Sequence, residues 1–343
     1  MHIPGGIVYS LKGKKLGKKE INFFKNTNPF GFILFSRNFE NIKQIKDLIY
    51  DLKNVTNNKN VQISVDQEGG KVQRFKSEDF FEYSSQNRFG LIYRKNPEIA
   101  KKFAYYFSYL NGYELKNIGI SINYSPVADL FFDYADTVIG NRAFDSDPKI
   151  VLDLATEFCK GFKDIGIIPV LKHFPGHGRS TKDTHKDLSI ISSSIDDLKK
   201  TDFIPFKILN NEALVMLAHI IYERIDSKVA TYSEKIIKNL LRGDFKFKGL
   251  VLSDDISMKA LKGNLRNKVS KAYDGGCDII LYCKGDIDEM IEINKFVKPI
   301  KKKYFDYFLN HSYRMKEKKL DINVIKRELL EYKLIKKKNG IKS

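Results

Sequence analysis

Cysteine is scarce. Cys159, Cys277 and Cys283 are the three in 343 residues, and their spacing matches neither a disulfide framework nor a zinc site. A reducing compartment is therefore expected. No apolar run approaches the roughly 18 residues needed to cross a bilayer, so no membrane partner is expected. The opening stretch MHIPGGIVYSLKGKK lacks a charged region, an apolar region and a small-residue cleavage site in series, and the expected address is the cytoplasm. Arginine-rich tracts and glycine–aromatic nucleic-acid motifs are missing as well, so nucleic acid is not an expected partner. No internal repeat or low-complexity linker divides the chain.

Positive charge is plentiful: 60 Lys and Arg against 42 Asp and Glu leave a net +18. The lysines are spread along the chain, with denser runs at KKLGKK, KPIKKKYF and IKKKNGIKS. They read as solvated faces, with weak attraction of anionic ligands as the alternative. A hydrophobic content of 42% is ample for a large core, and the length suits two average domains or one barrel-sized one.

Eight short apolar runs recur along the chain: GGIVYS (5–10), GFILFS (31–36), VQISVD (61–66), ISINYSPV (120–127), IIPVLKH (167–173), ALVMLAH (213–219), GLVLSD (249–254) and CDIILYC (277–283). Most are apolar throughout, as strands buried on both faces of a parallel sheet must be. Segments between them, such as NIKQIKDLIYDLKN, repeat their apolar residues at three and four, the helical period. Eight β-then-α units predict an α/β fold, a single-domain (β/α)8 barrel over 1–300. A doubly wound open sheet is the runner-up, but no strand is followed by a Gly-x-Gly-x-x-Gly turn. Residues 301–343 read as a lysine-rich helical extension, packed on the barrel or trailing it. No added apolar helix stands out as a subunit interface, so a monomer is expected.

Several strands end abruptly in polar residues: VDQEGGKVQRF, LKHFPGHG, LAH and LSDD. In a barrel these ends share the C-terminal rim, where active sites are built. Asp66, Lys172, His173, His219 and Asp254 are therefore expected to converge. Blander roles compete at single positions. Asp254 can cap a following helix, His219 reads as a hydrogen-bonded packing residue, and Gly69–Gly70 and Pro175–Gly178 can be turn chemistry. Their co-occurrence on one rim favours a site. Asp183 and His185, two apart in GRSTKDTH, can form a carboxylate–imidazole pair able to give and take a proton. Asp254 can act as nucleophile, while Lys172, Arg74 and Arg142 supply donors and positive potential.

The motifs DQEGGKVQRF, IGNRAF, KHFPGHG, DTH, AHIIY and LSDDISM occur in this order. The set resembles the bacterial β-N-acetylhexosaminidases of glycoside hydrolase family 3, over residues 5–285. The resemblance implies a retaining exo-enzyme that removes terminal β-linked N-acetylglucosamine without metal or cofactor. It implies Asp254 as nucleophile, His185 as acid/base, and Asp183 as the residue orienting His185. It implies sugar contacts at Asp66, Arg74, Arg142, Lys172 and His173. Lys71 stands where the family usually has arginine. The carbohydrate partner it implies is a peptidoglycan-recycling fragment, N-acetylglucosaminyl-1,6-anhydro-N-acetylmuramic acid with or without peptide.

Three alternatives stay open. Neutral imidazole does not repel an anionic acceptor, so phosphate can replace water. A metal-dependent barrel hydrolase would use His173, His177, His185, His219 and Asp254 as ligands, although no His-x-His follows the first strand. A non-catalytic barrel would bind sugar or nucleic acid through its charge.

Overall fold

Each of the eight apolar runs becomes a strand in the computed structural model, which describes residues 3–56, 58, 60–184 and 187–337. The strands are Gly5–Ser10, Pro29–Leu34, Gln62–Val65, Ile122–Asn123, a fifth in two pieces (Ile168–Pro169 and Leu171–Phe174), Leu214–Leu217, Leu250–Asp255 and Ile279–Leu281. Every pairing among them is parallel. From the first strand the sheet runs one way through the second, third and fourth to Ile168–Pro169, where Ile122 faces Ile168. The other way it runs through the eighth, seventh and sixth to Leu171–Phe174, where Val215 faces Leu171. The two ends of the sheet are thus two halves of one strand, separated by Val170, and the barrel closes without a free edge. The expected (β/α)8 barrel is what the chain forms.

Alternation along the strands divides the wall into two faces. Val8, Ile33, Ile122, Val170, Leu214, Met216, Leu252 and Leu281 belong to one buried cluster, the barrel interior. Their neighbours Ile7, Tyr9, Phe32, Leu34, Val65, Val215, Val251 and Ile280 pack outward with the helices in a second. Burial on both faces is why the runs carry no polar alternation.

Helix boundaries follow local chemistry. Asn96–Pro97 starts Pro97–Asn117, with the Asn96 side chain accepting from the Ile99 amide at 3.1 Å. Asp147–Pro148 starts Pro148–Ile165 in the same way, at 2.8 Å from the Lys149 amide. Proline fits the first turn because its missing N–H would have no helical partner there. These two helices approach so closely at Gly161 that a Cβ there would lie 2.1 Å from Ser108 Oγ.

The C-terminal segment wraps the barrel. Helix Lys302–Arg314 buries Phe305 and Phe308 against the N-terminal end of the barrel, with Phe308 edge-on to Phe30 at 5.2 Å. Helix Ile322–Glu331 lies on Pro97–Asn117, joined by the Lys102–Glu328 ion pair. Strand Ile335–Lys336 then pairs antiparallel with Glu82–Tyr83, in the excursion after the third strand.

Candidate active site

The third strand ends at Val65 and delivers Asp66 to the rim. The chain then doubles back as a short hairpin, Gln67–Gly69 against Val72–Gln73. Its turn needs glycine twice: Gly69 and Gly70 have φ of +105° and +58°, and a Cβ on Gly69 would lie 2.3 Å from the Ser84 carbonyl. Gln67 Oε1 accepts from the amides of Arg74 and Phe75 at 2.8 and 3.1 Å. That bond returns Arg74 to Asp66, Nη2 to Oδ2 at 3.4 Å. The glycine pair is turn chemistry, and the turn is what brings the two charged side chains together.

Lys172, at the end of the fifth strand, is 2% exposed on its side chain, and its Nζ lies 2.8 Å from Asp66 Oδ1 and 2.6 Å from Glu68 Oε1. Arg142 grips both oxygens of Glu68, Nε to Oε2 at 2.9 Å and Nη2 to Oε1 at 2.8 Å. Two carboxylates and three cations thus share one buried network. Burial alone would raise the Glu68 pKa, but the charges of Arg142 and Lys172 outweigh it and hold the carboxyl well below its ordinary range. Asp66 is likewise lowered, with burial opposed by Lys172 and Arg74. Both carboxylates stay ionised because each has cationic partners.

Beside it, two residues past the fourth apolar run, stands Asp129, fully buried. Its Oδ1 accepts from the amides of His173 and His177 at 2.9 and 2.7 Å, and its Oδ2 lies 2.7 Å from His173 Nδ1. Burial would raise the Asp129 pKa, but the charge and hydrogen bond of His173 lower it. The Lys172–His173 peptide is cis. His177 packs edge-on to His173, rings 5.5 Å apart, and its Nε2 lies 2.9 Å from Thr184 Oγ1.

The seventh strand carries Asp254 and Asp255 to the same rim. Asp254 Oδ1 accepts the Asp255 amide at 2.7 Å. The next helix, Leu265–Gly275, is capped by Asn264, so Asp254 is no helix cap. Asp255 accepts from Ser257 and from the Cys283 amide at 3.1 Å, and burial raises its carboxyl pKa.

Asp66, Arg74, Arg142, Lys172, His173 and Asp254 line one cavity of about 240 Å³, whose walls include Phe35, Tyr124, His177, Thr184 and Met216. Asp183 is described next to Thr184, and its carbonyl accepts the Asp187 amide at 3.0 Å. His185 lies outside the described residues. His219 does not join the group. It is fully buried, with Nδ1 2.7 Å from Thr231 Oγ1 and Nε2 3.0 Å from the Asp255 carbonyl. That is the packing role: His219 reaches the same rim, beside the Asp254–Asp255 strand end, but both ring nitrogens are engaged there and it is not among the residues that line the cavity. Lys71 points off the hairpin to the Thr137 carbonyl at 2.5 Å.

Sequence reasoning missed Glu68 and Asp129. Glu68 stands inside the quoted DQEGG, and Asp129 follows an apolar run as Asp66 and Asp254 do. Both signals were present and unread. Among the described residues no three metal-ligating side chains are grouped to hold an ion. His173, His177 and His219 are instead engaged one by one, by Asp129, Thr184, and the Thr231–Asp255 pair.

A closed parallel barrel with polar strand ends gathered on one rim around a charged cavity has the architecture of a (β/α)8 enzyme. The chain belongs to glycosyl hydrolase family 3, whose N-terminal domain model matches residues 9–306, and it is a glycoside hydrolase. It is 34% identical over 303 residues to a beta-hexosaminidase of Bordetella avium, covering 86% of both chains. It is 37% identical over 289 residues to one from Neisseria gonorrhoeae, covering 82% of this chain and 79% of that one. The structure is similar to that of NagZ from Neisseria gonorrhoeae in complex with N-trifluoroacetyl-D-glucosamine, with a TM-score of 0.84, 32% identity, and 97% and 96% of the two chains covered.

Proposed function

We propose that the protein is a retaining exo-β-N-acetylglucosaminidase that removes terminal, non-reducing N-acetylglucosamine from peptidoglycan fragments. The observation that carries this reading is the cavity itself: Asp254 faces the Asp66–Lys172–Arg74 cluster and His173 across about 240 Å³. The beta-hexosaminidase relatives, and the glucosamine derivative held by the Neisseria structure, support the choice of sugar.

In this reading the sugar sits between the charged network and Asp254. Asp66, Lys172, Arg74, Arg142 and His173 offer directional hydrogen bonds to hydroxyl and acetamido groups. Asp254 attacks the anomeric carbon while protonated His185 gives its proton to the departing glycosidic oxygen, so the C–O bond breaks as the aspartyl ester forms. The aglycone leaves as a neutral alcohol. Neutral His185 then takes a proton from water, which adds to the anomeric carbon and releases Asp254 as carboxylate. Asp183 holds the imidazole in the tautomer this needs. The fragments carry carboxylates, which suits the cationic surface, and we assign the enzyme to the cytoplasm as a monomer.

The test is turnover of 4-nitrophenyl N-acetyl-β-D-glucosaminide by wild type and Asp254→Ala, with and without phosphate. Wild-type release should fall by roughly 10^4-fold or more in the variant, as for loss of a nucleophile elsewhere. Free sugar in phosphate buffer supports hydrolysis, and sugar 1-phosphate replaces it with phosphorolysis. No release by folded wild type overturns the reading in favour of a binding barrel.

A further inference from the structure

The loop after the fifth strand leaves the barrel at Phe174 and must turn twice before it reaches Asp183. Both turns are clamped. Gly176 has φ +135° and a Cβ there would lie 2.9 Å from Asp202 Cβ; a Cβ on Gly178 would lie 1.8 Å from the Leu130 carbonyl. His177, between them, is held in place by its own backbone: its amide donates to buried Asp129 at 2.7 Å. From that fixed position its ring reaches forward to Thr184, only 1% exposed, at 2.9 Å. The chain between is folded on itself. Ser180 N donates to the His177 carbonyl at 3.1 Å, Ser180 Oγ to the Lys182 carbonyl at 2.6 Å, and Arg179 pairs with Asp202 at 2.7 Å.

We propose that His177 is a positioning residue: through Thr184 it ties the loop to Asp129 and the barrel, and so sets where the adjacent Asp183 is presented, the residue that orients the acid in the proposed mechanism. The inference rests on the glycosidase reading for its catalytic consequence, but the tie is a property of the fold. Three features support it. The ring is buried and has one hydrogen-bonded nitrogen, while Nδ1 has no partner among the described residues. Burial, then the neighbouring His173, hold the ring pKa down to about 4, so it stays neutral and a neutral donor or acceptor is all it can offer Thr184. Finally, Thr184 directly follows Asp183 in the chain, so a hydroxyl held there has the shortest lever on that carboxylate.

The experiment compares Thr184→Val, which keeps shape and removes the hydroxyl, with Thr184→Ser, which keeps it. His177→Asn, too short to reach, is paired with His177→Gln, whose amide occupies the place of Nε2. The readout is kcat/KM on two substrates: a disaccharide, whose alcohol needs a proton to leave, and the 4-nitrophenyl glycoside, whose phenolate needs little help. A misplaced acid costs the first far more than the second. Expected for Thr184→Val and His177→Asn is a loss of roughly 10–10²-fold on the disaccharide, below the full worth of a general acid, and a much smaller one on the nitrophenyl glycoside. The double variant should be no worse than either single one, while Thr184→Ser and His177→Gln should retain most of the wild-type value. Amide hydrogen exchange over 179–184 should quicken in Thr184→Val. An equal fall on both substrates, additive losses, or unchanged exchange overturns the proposal. Wild-type inactivity on both substrates would remove the glycosidase reading instead, with the exchange comparison still deciding the tie.

Discussion

Glu68 is the residue on which the charged half of the site depends. It is the shared partner of Lys172 and Arg142, and its side chain is 1% exposed. Replacing it by glutamine keeps the shape, leaves Lys172 with Asp66 alone, and removes the carboxylate that Arg142 grips. Breaking a buried pair by removing one member costs roughly 3–5 kcal/mol. Glu68→Gln should therefore lower the melting temperature measurably and raise KM, because Lys172 and Arg142 lose the anion that aims them. A thermal melt and a Michaelis curve on one preparation check both halves. An unchanged melt would mean that the two cations are compensated without Glu68. Asp129 plays the matching role for the histidine segment, accepting the backbone amides of His173 and His177 and meeting the His173 ring at Nδ1.

Among the elements, the C-terminal strand is a strap on the hairpin that carries the site. Ser84 N donates to the Leu334 carbonyl at 2.9 Å, and Ile335 faces Tyr83. The Tyr83 carbonyl in turn accepts the Gly70 amide at 2.8 Å, and its own amide donates to Gln73 Oε1 at 2.9 Å. Asp66 and Arg74 sit at the two feet of that hairpin. Deleting residues 333–343 frees its outer edge while leaving all eight barrel strands intact. The expected outcome is a several-fold rise in KM with a much smaller change in kcat. A truncated enzyme with wild-type KM would show that the hairpin holds its shape unaided.

Across the whole molecule, one buried and one half-buried group give stability opposite dependences on pH. His177 has its pKa held down to about 4 from an ordinary 6.5, chiefly by burial. The unfolded chain binds that proton first, so its contribution is present above 6.5 and lost as pH falls toward 4. Glu114, on helix Pro97–Asn117, accepts from Tyr83 Oη at 2.7 Å, and burial raises its carboxyl to about 7 from an ordinary 4.5. Its contribution is present below 4.5 and lost as pH rises through 7. Between 4.5 and 6.5 the two offset each other. Glu114→Gln removes the offset, so its melting temperature should drop more steeply than that of wild type on going from pH 7 to 5. Parallel curves would show that Glu114 titrates in the fold as it does in the open chain.

The sequence by itself determined the barrel. Strands buried on both faces must be apolar throughout, and that composition survives as eight readable runs because each is a local property of a few residues. It also determined which residues are chemically able to act, since Asp66, Arg74, Arg142, Lys172, His173 and Asp254 stand in short motifs and line one cavity. Only the tertiary structure decided the pairings. That Lys172 answers to Glu68, that Asp129 holds two histidines, and that His219 is engaged by Thr231 depends on contacts between residues up to 104 positions apart. Such contacts arise from barrel closure, which brings strand ends together in an order no local pattern records. Ion pairing and burial then fix protonation, because a carboxylate reads its neighbours in space and not in sequence.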